Sequence, residues 1–108
     1  MRGESMITKK EIKQEVSKIR KLDKAHEVCY LNDDLQLLLE EEARTKMFML
    51  LTRIENRFRE MEVPRYKLEG LFYYRNDLNT SRTIDGEYNG IWGTIHNCEV
   101  FIDVMVLG

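Results

Sequence analysis

Two histidines and two cysteines stand close enough in the chain to raise the question of a site: His26 with Cys29, and His96 with Cys98. Two nitrogens and two thiolates are the ligand set of a structural zinc centre. The spacing argues against one. Zinc-finger ligands usually come as two cysteines followed by two histidines on knuckles, whereas both pairs here are mixed. Cys98 also continues an apolar alternation, as a buried core thiol does. His26, Cys29, His96 and Cys98 are thus carried only as candidate zinc ligands, and no cofactor is expected. The same His96 and Cys98 are the only local pair that could serve nucleophilic catalysis, and residues two apart on a strand share a face only if the turn geometry permits.

The run Asp85-Gly86-Glu87-Tyr88-Asn89-Gly90 imitates the opening of an EF-hand loop, with oxygen ligands at alternate positions and a glycine sixth. It fails at the twelfth position, where His96 replaces the bidentate glutamate. Turn composition accounts for these residues without a metal. Gly86, Gly90 and Gly93 form no dinucleotide fingerprint, and no phosphate-cradling loop or nucleophile elbow is present. The reading is non-enzymatic.

Charge is unevenly spread. Lys10, Lys13, Lys21 and Lys24 line one face of a first helix with Ser17 among them, and Arg53 and Arg57 stand further on. Such a stripe could contact phosphates. It lacks interleaved aromatics to stack bases, and a solvated helix face is the simpler reading. Glu40, Glu41 and Glu42 precede Arg44 and Lys46 by about one turn, a spacing that supports a helix by a few tenths of a kcal/mol per pair. With a net charge of −2, nothing drives the whole molecule toward nucleic acid or an anionic membrane.

These residues must be positioned by elements. Asn32 to Met61 reads as one long amphipathic helix: Leu35, Leu39, Ala43, Met47, Leu50, Ile54, Phe58 and Met61 step by threes and fours, and only Pro64 breaks the run. Before it, Thr8 and Glu11 form a capping box, Ile7 and Ile12 a hydrophobic staple, and Ile12, Val16, Ile19, Leu22 and His26 one face. Beyond Pro64 the texture turns to β-formers, aromatics and glycines. Leu68–Arg75, Thr80–Ile84, Ile91–Ile95 and Cys98–Val106 read as strands, with Gly70 a bulge or a point of close approach, and Asp85-Gly86 or Asn89-Gly90 a hairpin turn.

The sum is one α+β domain over 1–108. Two antiparallel helices, at 7–30 and 32–62, pack on a three- to four-stranded antiparallel β-meander at 66–107. The 43% hydrophobic and 33% charged composition belongs to an ordinary soluble protein. No run is long enough to span a membrane, and two cysteines suit a reducing, cytoplasmic setting. Met1–Ser5 lacks a signal-peptide core and reads as a short arm or as a remnant ahead of Met6.

Apolar residues wrap beyond the main stripe of the long helix at Leu37, Leu38, Phe48 and Met49. Tyr73 and Tyr74, adjacent on a strand, would point to opposite faces beside Arg75, the composition of a binding hot spot. Those seven residues are the expected contact surface for a second copy, a dimer being expected, or for a larger protein. Size and a Lys/Glu/Asn/Ile-rich composition are shared with many small accessory and phage proteins that regulate or inhibit host machinery, an association rather than an argument. A nucleic-acid-binding regulator using the lysine face, and a structural zinc domain, are the alternatives.

Overall fold

A computed structural model describes residues 6–80 and 90–107. Four helices carry them: α1 (Lys9–Val28), α2 (Asp33–Glu60), α3 (Arg65–Thr80) and α4 (Gly90–Ile102), the last running on into a π-helical turn, Asp103–Leu107. There is no strand among the described residues. The α+β class and its antiparallel meander are therefore overturned; this is a helical bundle.

The first half forms for the reasons its sequence advertises. Thr8 caps α1, its side chain accepting from the Glu11 N–H while Glu11 Oε1 accepts from the Thr8 N–H at 3.0 Å. Ile7 and Ile12, the two halves of the staple, are both buried. Asn32 caps α2 by accepting from the Leu35 N–H at 3.0 Å. At the far end of α2 the Val63 N–H donates to the Phe58 carbonyl and the Glu62 N–H to the Arg59 carbonyl, each at 3.0 Å. That is a Schellman closure, and it places Glu62 in the left-handed region at φ 58°. Pro64 then stands just ahead of α3, where its missing N–H costs nothing.

Consecutive helices run antiparallel, as the four-residue links between α1 and α2 and between α2 and α3 favour. Arg57 Nη1 donates to the Ile7 carbonyl at 3.2 Å, and His26 lies against Glu40 at the other end of the α1–α2 pair. Arg75 meets Glu55 across α2–α3; Thr94 Oγ1 donates to Asp77 Oδ2 at 2.7 Å across α3–α4. Arg20 Nε reaches Glu99 Oε1 at 3.1 Å, closing the ring from α1 to α4. The architecture is an up-down-up-down bundle, 46 by 25 by 25 Å. Its core joins Ile12, Val16 and Ile19 to Met47, Leu51 and Ile54 of α2, Leu71 and Leu78 of α3, and Ile95, Cys98 and Ile102 of α4.

The strand readings fail for a specific reason. Cys98, Ile102 and Val106 are four apart, a step shared by an alternating strand and a helix face. The alternation also requires Val100 and Val104 on that face, yet these are 49% and 73% exposed while Cys98 and Ile102 are buried. In α3, Leu68, Leu71 and Leu78 are the buried positions, with steps of three and seven, and the β propensity of the neighbouring aromatics is overridden by packing. Gly70 is no bulge but is a close approach: a Cβ built there would lie 2.7 Å from Phe101 Cζ. The strand at Thr80–Ile84, the turn at Asp85-Gly86 and the calcium-like loop fall almost wholly at 81–89, outside the described residues.

Candidate functional site: an apolar tip at the α1–α2 turn

The turn joining α1 to α2 is built tightly and from the inside. The Cys29 N–H donates to the Ala25 carbonyl at 3.1 Å and ends α1; the Asn32 N–H donates to the Cys29 carbonyl at 2.9 Å. Gln36 then turns inward, its Nε2 donating to the His26 carbonyl at 3.1 Å, which satisfies one of the orphan acceptors at the end of α1. His26 Nε2 lies 3.1 Å from Glu40 Oε2, and its ring packs against Trp92 of α4 with centroids 5.0 Å apart. Gln36, His26 and Glu40 thus form the inner side of this end of the bundle. The indole N–H of Trp92, buried beside them, has no hydrogen-bond partner among the described residues.

The apolar side chains go the other way. Val28, Tyr30, Leu31, Leu37 and Leu38 expose between 56% and 84% of their surface, and Leu35 exposes 39%. Burial on α2 begins only at Ala43. Polar groups inside and leucines outside invert the usual sorting, and the six side chains together expose on the order of 700 Å² of apolar surface. The concavities lie elsewhere: a cleft of about 200 Å³ is lined by Glu15, Lys46, Met49, Leu50 and Arg53, and a hollow of about 520 Å³ on the lysine face of α1 by Lys9, Lys10, Lys13, Gln14 and Ser17, neither touching a residue of the tip.

Of the seven contact residues read from sequence, Leu37 and Leu38 lie on this tip. Met49 is exposed at the lip of the small cleft, away from it. Phe48 is half-buried, with the Arg75 guanidinium 5.7 Å from its ring centroid. Arg75 itself turns inward to ion-pair with Glu55, which is only 5% exposed and is held from its other side by Arg59 at 2.7 Å. Phe48 and Arg75 are thus both engaged within the fold. On a helix Tyr73 and Tyr74 stand about 100° apart rather than on opposite faces: Tyr73 is exposed, and Tyr74 is wedged between it and Phe101, with centroids at 5.1 and 5.6 Å.

The sequence reading missed Val28, Tyr30 and Leu31 altogether and placed Leu35 in the core stripe. The signal was present as composition. From Val28 to Leu39 seven of twelve residues are large and apolar, more than two short turns of helix can bury.

The basic set divides. Lys10, Lys13, Lys21 and Lys24 are exposed on the outer face of α1. Arg53 and Arg57 are tied into the fold, Arg53 facing Glu11 at 3.7 Å and Arg57 donating to the Ile7 carbonyl. The candidate zinc set does not assemble. Cys29 lies at the end of α1 and Cys98 in the core, while His96, two residues from Cys98, lies exposed on the opposite side of α4. No group of three or more metal-capable side chains exists among the described residues. Burial pushes the Cys98 thiol up to about 12, with Asp77 and Glu99 adding to it, so it stays protonated and unreactive at neutral pH. No described helix is long and apolar enough to cross a membrane. No protein-family model, curated protein or solved structure matches this chain.

Proposed function

We propose that this protein is a non-enzymatic interaction module that binds another polypeptide, a larger protein or a second copy, through the tip formed by the α1–α2 turn. One observation carries the reading: Val28, Tyr30, Leu31, Leu37 and Leu38 face solvent while Gln36, His26 and Glu40 are turned inward. Leaving five large apolar side chains in water forgoes about 1.5–3 kcal/mol apiece, a cost that burial by a partner removes. The two free cysteines fit a reducing, cytoplasmic setting for that encounter.

Leu38→Glu tests this. Its side chain is 66% exposed, so the variant should fold with unchanged helicity and melting temperature. Light scattering at two concentrations reads self-association; affinity capture from the source cell reads a foreign partner. A chain retained by the native protein and released by Leu38→Glu supports the module. A variant that fails to fold makes Leu38 ordinary core, and identical behaviour of both proteins in both assays removes the tip as the contact.

A further inference from the structure

The charge around the tip says which partner fits it. Between Ala25 and Ala43 there are six carboxylates and no lysine or arginine. Glu40 is turned onto His26 and Glu41 onto Arg44. Glu27, Asp33, Asp34 and Glu42 remain exposed and are interspersed along the chain with the exposed apolar residues. Building on the proposed function, we infer that the tip docks a cationic amphipathic helix of another protein, its apolar stripe on Leu31 and Leu38 and its flanking lysines or arginines on the acidic rim.

The same rim argues against a second copy. In a two-fold contact the same patch meets itself, so the acidic rim of Glu27, Asp33, Asp34 and Glu42 would face a second acidic rim, and like charges across an interface cost affinity. The basic face of α1 is no substitute occupant. Lys10, Lys13, Ser17, Lys21 and Lys24 offer charge but no large apolar side chain to meet Leu31 and Leu38. A foreign helix that is apolar on one side and basic on the flanks satisfies both halves of the surface, the helix-docking mode in which apolar anchors supply affinity and rim charge supplies approach and selectivity.

The test uses two labelled peptides of about eighteen residues, one amphipathic in leucine and lysine, the other its leucine–glutamate counterpart, with binding to the full chain read by fluorescence anisotropy. The lysine peptide should bind at least about tenfold more tightly than the glutamate peptide, and less tightly as salt is raised. Leu38→Glu is the decisive variant because it adds negative charge. If the lysine peptide were held by charge alone, Leu38→Glu would bind it as well or better, and the inference fails; the docking proposed here predicts a loss of about tenfold or more. Replacing Asp33 and Asp34 together by Asn should weaken binding about threefold and flatten its salt dependence. No peptide binding, with a native dimer that Leu38→Glu dissociates, overturns this partner assignment and leaves the interaction module standing. No peptide binding and no Leu38-dependent self-association overturns the assignment; if capture from the cell is also unchanged, the module goes with it.

Discussion

Glu62 occupies a backbone conformation that glycine adopts freely and a glutamate does not. Its φ of 58° is imposed by the Schellman closure of α2: the two 3.0 Å hydrogen bonds from Glu62 and Val63 to Arg59 and Phe58 form only if the residue after the cap turns left-handed. The Cβ crowding there costs about 1 kcal/mol. Glu62→Gly should remove most of it and, after the freedom it adds to the unfolded chain, raise the melting temperature by about 2 °C for a domain of this size. Met61→Gly, one residue earlier at φ −86°, is the control. It gains nothing in the fold and adds freedom to the unfolded chain, so it should lower the melting temperature. Equal shifts for the two variants would show that the left-handed turn is not what limits this helix end. The closure matters beyond its own energy, because the turn it makes sends α3 back along α2 and brings Arg75 onto Glu55.

The contact between α3 and α4 rests on a missing side chain. Glycine inside a helix costs about 1 kcal/mol relative to alanine, so Gly70 needs a compensating reason. Phe101 is that reason: its ring fills the space a Cβ would take. Gly70→Ala should therefore destabilise by about 1–2 kcal/mol in chemical denaturation, the overpacking loss exceeding the helix-propensity gain. In a Phe101→Leu background the same substitution should become neutral or stabilising, a coupling that a double-mutant cycle measures directly. Additive effects would mean the two helices do not meet there. The pair also shows how far the elements could be read from the chain. Caps, staple and stripe made α1 and α2 legible because each signal is local. Gly70 was legible as a close approach, but its meaning depended on a residue thirty-one positions away. In the last forty residues the Ile95 to Cys98 step of three was the helical clue. It lies between the two segments Ile91–Ile95 and Cys98–Val106, and within the second the four-residue steps fit a strand equally well. The tip was half legible: Leu37 and Leu38 stood out as surplus to the stripe, but exposure of Leu31 and Leu35 depends on how far the bundle's cover of α2 extends, which no local pattern states.

At the scale of the whole molecule, α2 is the spine, about 42 Å long at 1.5 Å per residue and nearly the full length of the bundle. It packs on all three other helices, yet not along its whole length. From Ala43 to Phe58 it supplies Ala43, Met47, Leu50, Leu51, Ile54 and Phe58 to the core, and Glu55 to a buried ion pair with Arg75. From Asp33 to Glu42 it supplies no fully buried residue. Backbone hydrogen bonds in the second stretch should then open without the global unfolding that those in the first require. Native-state hydrogen exchange on the isolated protein should show the amides of 37–42 exchanging at least about tenfold faster than those of 47–58, with the break near Ala43. Uniform protection across both stretches would mean something already covers the tip in solution, and a second copy would be the first candidate. The division has a consequence for binding. A partner that docks on Leu31 and Leu38 covers the part of α2 that the bundle leaves least protected, so complex formation should slow exchange at 37–42 and leave 47–58 unchanged. That pattern separates a partner that caps the tip from one that binds the lysine face of α1, which would leave both stretches of α2 as they were.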